Sequence, residues 1–213
     1  MSDRLFKTDI LFLQRILAVS GFYKGALNGR WSSDVDDAEE KFLARYRAIR
    51  ENAGEFDSRT EDCLTTLIPA AQIKAREFMN AIKGRNLTYR IISGTRTYAE
   101  QDALYKRRPK VTNARGGQSN HNFGIAWDVG IFDNGKYYEG KTKKEDQAYA
   151  ELGKYIKASV SGLEWAEIGN DLSICLTTSW RRAGLWRKYA RRWRKERPMP
   201  ERRVIWFGSL HRT

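Results

Sequence analysis

The chain has 213 residues, of which 41% are hydrophobic and 12% are aromatic. This composition can form a hydrophobic core and excludes an intrinsically disordered chain. The formal net charge of +13 favours an anionic partner, such as nucleic acid, an anionic wall polymer or a membrane surface. No apolar run reaches the ~18 residues that a membrane-spanning helix needs.

The basic residues are concentrated towards the C-terminal end. From residue 166 onward there are 12 lysines and arginines against 4 acidic residues. The two cysteines, Cys63 and Cys175, have no CxxC spacing, which predicts reduced thiols in a cytoplasmic protein. The first residues also lack the layout of a secretory signal, so that any export is expected to depend on other factors.

The first 50 residues predict a small helical unit. Apolar residues at helical spacing predict a helix over residues 9–17, and Ser33 is the predicted cap of a second helix over residues 34–46. The glycines between these two helices predict a loop and a tight turn.

The order of residues in this unit is more specific than its helices. Leu13-Gln14 is followed by Gly21-Phe22-Tyr23-Lys24-Gly25 and then by Asn28-Gly29-Arg30-Trp31. Over about residues 8–48 this order resembles the peptidoglycan-binding repeat of cell-wall hydrolases. The resemblance implies that this segment binds wall material without the rest of the chain, through Phe22, Tyr23 and Trp31.

Helices and strands alternate in the remainder of the sequence, which favours a mixed α+β domain with a small antiparallel sheet. Ser58 and Glu61, and again Thr97 and Glu100, have the spacing of a capping box. The predicted elements are a helix over 61–83 interrupted near Pro69, a strand over 88–92, a helix over 97–105, a strand over 125–132 and a helix over 144–160.

His121 and Asp128 are the candidate metal ligands, because imidazole and carboxylate both bind zinc. They lie seven residues apart in Ser119-Asn120-His121-Asn122-Phe123-Gly124-Ile125-Ala126-Trp127-Asp128. On a helix they would share a face, whereas a bend at Gly124 would bring Asp128 back towards His121. Taken alone, the pair is equally compatible with a structural histidine that only makes hydrogen bonds.

Two further motifs accompany this pair: Ser93-Gly94-Thr95-Arg96-Thr97 upstream and Gly162-Leu163-Glu164-Trp165 downstream. Together they resemble the D-alanyl-D-alanine carboxypeptidase and L-alanyl-D-glutamate peptidase family, which includes many phage endolysins, over about residues 65–165. The resemblance implies that His121 and Asp128 bind Zn²⁺. It also implies that Arg96 binds substrate and stabilises charge, with Ser119 and Gln101 as further substrate contacts.

The implied activity is metal-assisted hydrolysis of the peptide stem of peptidoglycan, either as an L-alanyl-D-glutamate endopeptidase or as a D,D-carboxypeptidase. The expected partner is therefore bacterial peptidoglycan and not a specific nucleic acid, and the expected state is a monomer. A protein of this kind would be made in the cytoplasm of the host bacterium and act on the wall after release.

The resemblance breaks after Trp165. Family members continue with Gly-Gly-x-Trp and then Phe-x-Asp-x-Pro-His, which supplies the general base and the third zinc ligand. Here Ala166-Glu167-Ile168-Gly169 follows, and the only other histidine is His211. Codons available to residues 165–177, read one nucleotide out of register, can encode Gly-Gly-Asp-Trp-x-x-Phe-Val-Asp-x-Pro-His. We therefore expect residues 166–213 to be a frameshifted, poorly packed basic tail.

The predicted organisation is a wall-binding repeat over 1–50, a zinc peptidase domain over 51–165 and the basic tail over 166–213. Two other interpretations remain open. The chain could be a wall-binding protein with impaired catalysis. In addition, Ala183, Trp186, Ala190 and Trp193 have helical spacing among basic residues, as in cationic helices that bind anionic membranes such as an outer membrane.

Overall fold

The computed structural model describes residues 6–168 and 171–176. In that part of the chain, helices occupy both the N-terminal unit and the region that follows it. The helices are α1 (Lys7–Val19), α2 (Ser33–Ala53), α3 (Ser58–Thr65), α4 (Pro69–Ala81), α5 (Tyr98–Lys106) and α6 (Lys143–Ser159). The strands are β1 (Thr88–Ser93), β2 (Ala126–Asp133), β3 (Lys136–Tyr137), β4 (Leu163–Ile168) and β5 (Asp171–Leu176).

The strands form one antiparallel sheet in the order β1-β2-β5-β4, and β3 pairs with the end of β2. Asn134 and Gly135 have φ values of +49° and +80°, which is the turn geometry that favours these two residue types in a hairpin. The predicted α+β fold with a small antiparallel sheet is confirmed. Among the described residues, none of the helices is both long and apolar enough to cross a membrane.

The main hydrophobic core lies on one face of this sheet. Trp127, Val129 and Ile131 of β2 are fully buried and pack with side chains from α4 and α6. Because successive residues of a strand point to opposite faces, Asp128 lies on the other face of β2. The same strand therefore stabilises the core and presents a carboxylate away from it.

Helix α2 connects this core with a smaller one. Phe42 packs in the smaller core with residues of α1, whereas Tyr46, one turn later, belongs to the main core. Helix α2 is longer than the sequence predicted. It ends at Ala53, because the next residue, Gly54, has a φ of +89° that is unfavourable for residues with a side chain. The predicted domain boundary at residue 50 falls inside this helix.

The predicted helix over 61–83 is two helices, because Pro69 begins α4 at a position where its missing amide costs no hydrogen bond. The capping box predicted at Ser58 is wrong. Asp57 caps α3 instead, since its carboxylate accepts from the Thr60 amide at 3.2 Å. Glu61 bonds to other partners in the core. The capping box at Thr97 and Glu100 is present.

The prediction of a poorly packed tail from residue 166 is wrong for residues 171–176. These residues form β5 between β2 and β4, and Ile174 is fully buried. The sequence Asp-Leu-Ser-Ile-Cys-Leu alternates polar and apolar residues, which is the pattern of a half-buried strand. The remainder of the predicted tail, from residue 177, lies outside the described residues.

Candidate active site

His121 lies on a short 3₁₀ turn, Asn120–Phe123, just before β2. The hydroxyl of Ser119 caps the turn and accepts from the His121 amide at 3.4 Å. Gly124 ends the turn with a φ of +66°, a left-handed conformation that glycine adopts without strain. This bend brings Asp128 back to His121, so that Nε2 of His121 and Oδ1 of Asp128 are 3.1 Å apart.

The hydrogen bonding of His121 identifies the atom that faces Asp128. Nδ1 of His121 lies 2.7 Å from the carbonyl oxygen of Gly94. A carbonyl only accepts, so Nδ1 carries a proton, and in the neutral ring Nε2 is then the nitrogen that can accept a proton or bind a metal ion. Two acceptors 3.1 Å apart repel each other unless a proton or a metal ion lies between them. This arrangement is typical of a metal-binding histidine fixed by a carbonyl.

The pair also has a spacing near the one that zinc requires. Two ligands about 2.0–2.2 Å from a tetrahedral zinc ion stand about 3.3–3.6 Å apart, slightly more than the 3.1 Å between Nε2 of His121 and Oδ1 of Asp128. Both residues are nearly inaccessible to solvent, at 4% and 5% exposure. His121 and Asp128 therefore fit two positions of a zinc site, although a catalytic zinc usually has three protein ligands.

Gly94 positions the carbonyl that orients His121. A Cβ atom at Gly94 would lie 2.4 Å from Oγ1 of Thr66 and 2.6 Å from the carbonyl oxygen of Cys63. Only glycine allows the end of β1 to approach α3 this closely. The hydroxyl of Thr66 also accepts from the Thr95 amide at 2.9 Å, so the segment before Arg96 is held against α3.

Arg96 contacts the candidate metal ligands directly. Its guanidinium forms an ion pair with Asp128, and its Nε donates to the hydroxyl of Ser93 at 3.2 Å. Its amide donates to the carbonyl of His121 at 3.0 Å. The structure thus brings together the three residues that sequence motifs had selected, while their roles as ligands and as substrate contact remain predictions.

Asn122 is a positioning residue that the sequence analysis missed. It is 1% exposed. Its side-chain nitrogen donates to the carbonyls of Arg96 and Thr97, and its oxygen accepts from the Gly117 amide at 2.9 Å. Asn122 therefore joins the turn of His121 to the loop of Arg96. The spacing from Ser119 to Asn122 is that of a capping box, which was the available signal.

The two further predicted substrate contacts both hold loops in place. Ser119 caps the His121 turn, as described above. Gln101 is 1% exposed and donates to the carbonyl of Ala114 at 2.9 Å, which attaches the basic loop after α5 to that helix. The hydrogen bonds of the Gln101 side chain are thus with the loop, and its role in substrate binding stays a prediction.

The described residues contain no group of three or more His, Cys, Asp or Glu side chains that could hold a metal ion. Glu164 lies on β4 but does not form such a group with His121 and Asp128. His211 lies outside the described residues.

Cys63 is near Asp128, but burial raises the pKa of its thiol to about 11 despite the nearby charge of Arg59. This thiol stays protonated at neutral pH.

The predicted wall-binding aromatic residues have three different environments. Tyr23 is buried, and its hydroxyl donates to the carbonyl of Ala26 at 3.0 Å. Phe22 is half-buried and packs edge-on against Phe42. Trp31 is 38% exposed, with its indole nitrogen donating to Asp36 at 2.9 Å. Of the three, Trp31 has the most surface available to a partner.

Gln14 holds the loop that carries these aromatic residues. It is fully buried. Its side-chain oxygen accepts from the amides of Asn28 and Gly29 at 3.0 and 2.9 Å, and its nitrogen donates to the carbonyl of Arg30 at 2.8 Å. The glutamine of the Leu-Gln pattern thus stabilises the turn before Trp31.

One comparison with known proteins finds a family that the central part of the chain resembles. Residues 65–160 match the family model VanY, described as D-alanyl-D-alanine carboxypeptidase. The matched segment contains Arg96, the 3₁₀ turn of His121 and the whole of β2 with Asp128. Residues 65–160 are therefore VanY-like, which supports a function of the D-alanyl-D-alanine carboxypeptidase or peptidoglycan-hydrolase type.

Proposed function

We propose that this protein is a zinc-dependent peptidase that cuts the peptide stem of bacterial peptidoglycan, as a D,D-carboxypeptidase or as an L-alanyl-D-glutamate endopeptidase. The observation that carries this proposal is the contact among His121, Asp128 and Arg96 within the segment that matches the family. A buried imidazole and a carboxylate at this distance are suited to a metal ion, and a guanidinium beside them is suited to an anionic intermediate.

In this proposal His121 and Asp128 hold the zinc ion, which when bound activates a water molecule and polarises the scissile carbonyl. The Gly94 carbonyl keeps the His121 ring in the orientation that binds metal. Arg96, which the Asp128 carboxylate and the Ser93 hydroxyl hold in place, donates to the oxygen on which negative charge develops. A preformed donor of this kind commonly contributes about 10²–10³-fold in rate.

The test is digestion of purified peptidoglycan with the full chain and added zinc. Free D-alanine as the product would identify a carboxypeptidase, whereas a new D-glutamate amino terminus would identify the endopeptidase. We expect slow hydrolysis that is lost with a chelator and in His121→Ala, while Arg108→Gln, a change of an exposed arginine outside the site, retains it. Hydrolysis that persists in His121→Ala would contradict the proposed role of the pair.

The second candidate function is a wall-binding protein with impaired catalysis. It is favoured by one observation, that only two candidate zinc ligands come together among the described residues. In this case the N-terminal unit binds peptidoglycan while hydrolysis is undetectable. A sedimentation assay of the full chain with insoluble peptidoglycan tests it, with Trp31→Ala as the variant. The control is Phe6→Ala, a change of an exposed aromatic residue outside the segment 8–48 that resembles the repeat. Equal binding by Trp31→Ala would argue against contact through the repeat.

A further inference from the structure

The wall of the active site that carries Arg96 continues into a groove of about 720 Å³ between α3 and α5. Ser93 and Gly94 form its floor, with the apolar side chains of Ile92 and Leu104 beside them. Because the Gly94 carbonyl contacts His121 and the Arg96 guanidinium contacts Asp128, the groove opens directly beside the candidate metal ligands. We call it the arginine groove, after Arg59, Arg96 and Arg107 in its lining.

Two of these arginines are available to a ligand. Arg59, in the first turn of α3, and Arg107, at the end of α5, are both exposed. Neither side chain forms any of the ion pairs or hydrogen bonds found within residues 6–168. Arg96, by contrast, is paired with Asp128. Exposed guanidinium groups fit carboxylates in a bidentate manner, so the two arginines provide sites for anions on the two helices that border the groove.

The acidic residues of the lining do not neutralise these arginines by direct contact. Glu100 accepts from the amide and the hydroxyl of Thr97 at 2.8 and 2.9 Å, as part of the cap of α5. Asp62 is exposed and lies three residues after Arg59 on α3, and the two do not form an ion pair in the described structure. The groove therefore combines apolar side chains beside its floor with arginines on its two bordering helices, which suits an extended acidic peptide.

We infer that the arginine groove is a substrate subsite in which Arg59 and Arg107 bind carboxylates of the peptide stem outside the scissile bond. This inference rests on the proposed function, because the groove is continuous with the residues proposed to cut the stem. The stem can supply such a carboxylate from two sources, the α-carboxylate of its D-glutamate and the carboxylate of its last residue. Arg59 and Arg107 would then determine specificity, and Arg96 would act at the reacting carbonyl.

The test measures binding by isothermal titration calorimetry, with a chelator present so that the peptide stays intact. The probes are a synthetic pentapeptide stem, L-Ala-γ-D-Glu-L-Lys-D-Ala-D-Ala, and two derivatives amidated either at the D-glutamate α-carboxylate or at the C-terminus. We expect Arg59→Gln and Arg107→Gln each to weaken binding of the free stem by about 3- to 10-fold. The derivative that lacks the recognised carboxylate should bind weakly to the unmodified chain, and neither substitution should weaken its binding further.

The matched control is Arg108→Gln, which removes the adjacent exposed arginine outside the groove. Circular dichroism verifies folding, since all three side chains are exposed. Equal weakening by the control, or no weakening by either groove variant, would overturn the subsite while leaving the proposed function intact. If the unmodified chain bound neither the free stem nor the amidated peptides, the proposed function would fail together with the subsite.

Discussion

The orientation of His121 depends on groups that do no chemistry themselves. Gly94 supplies the carbonyl that fixes the ring, and Asn122 joins the turn of His121 to the loop of Arg96. These contacts join residues 25 to 27 positions apart in the chain. A local pattern identifies the residue types suited to metal binding, but it does not indicate which distant carbonyl or amide will orient them.

Gly94→Ala tests the role of this close approach. The backbone of Gly94 is not left-handed, so an added methyl group is opposed only by its contacts at 2.4 and 2.6 Å with Thr66 and Cys63. We expect a loss of about 1–3 kcal/mol in the free energy of unfolding and weaker zinc binding, because the carbonyl that orients His121 must move. Urea denaturation and zinc titration measure the two effects.

The matched control for this variant is Ile92→Val, a nearby half-buried position on β1, the strand that ends just before Gly94. It should cost about 1 kcal/mol or less and leave zinc affinity unchanged. If Gly94→Ala lowered stability while zinc bound as before, the Gly94 carbonyl would not be what positions the ring.

At the scale of helices and strands, most elements follow from local sequence. The caps at Thr97 and Thr142 and the proline at the start of α4 mark helix starts through short-range hydrogen bonds or a missing amide. The cap of α3 was assigned incorrectly because Ser58 and Glu61 have the right spacing. Glu61 instead turns into the core, where a buried arginine from α4 is a stronger partner than a helix amide.

The ion pair of Glu61 and Arg76 joins three helices. Arg76 is fully buried and donates to both carboxylate oxygens of Glu61 at 2.9 and 2.6 Å, and Tyr46 of α2 donates to the same carboxylate at 2.7 Å. Burial alone would raise the pKa of Glu61. The hydrogen bonds from Arg76, Tyr46 and the Phe56 amide outweigh burial, so this pKa lies below its usual value.

A pH-dependent loss of stability follows from this lowered pKa. The folded state favours the ionised Glu61 carboxylate, so this carboxylate stabilises the fold fully above the unfolded pKa of about 4.3. This stabilisation is lost as the pH falls through the lower pKa that Glu61 has in the folded state. We expect Glu61→Gln to lower the free energy of unfolding at pH 7 by about 3 kcal/mol, because Arg76 is left as a buried uncompensated charge. Urea denaturation between pH 7 and pH 3 measures both effects.

The control for Glu61 is Glu77→Gln, which breaks the exposed ion pair of Glu77 with Lys74 on α4. Exposed pairs contribute about 0–1 kcal/mol, so this variant should keep the pH profile of the unmodified chain. A Glu61→Gln variant with an unchanged acid profile would show that other carboxylates control stability at low pH.

At the scale of the whole molecule, the N-terminal unit packs closely on the part of the chain that contains the sheet. Leu27 packs against both hydrophobic cores. The guanidinium of Arg15 on α1 lies 5.1 Å from the ring centre of Tyr98, two residues after Arg96. With α2 contributing to both cores, the wall-binding repeat predicted for this unit is fixed in orientation near the candidate active site. Peptidoglycan held by the repeat would then be held close to the peptidase residues.

The sheet topology bears on the third zinc ligand that residues 6–168 and 171–176 do not supply. Strand β5 lies beside β2, with Ser173 opposite Asp128 in the register of the two strands. As written, residues 171–176 read Asp-Leu-Ser-Ile-Cys-Leu, without a histidine. Read one nucleotide out of register, codons available to this stretch can encode the Asp and the Pro of Asp-x-Pro-His, with the His directly after them. If the frame shifts after Trp165, the strand beside Asp128 is therefore where the missing general base and zinc ligand would be encoded.

Restoring one G in the codons after Trp165 tests the frame and the site together. The written chain should bind zinc weakly through His121 and Asp128, because two protein ligands replace the usual three. It should also lyse walls feebly or not at all, since losing an acid–base group commonly costs about 10²–10⁴-fold in rate.

The chain made from the corrected codons, the restored chain, should hold one zinc ion per chain after dialysis and digest peptidoglycan. His121→Ala in the restored chain is the inactive control. Full lytic activity of the written chain, abolished by His121→Ala, would instead place the remaining ligand and the base among the residues of the present frame, with His211 the first to replace.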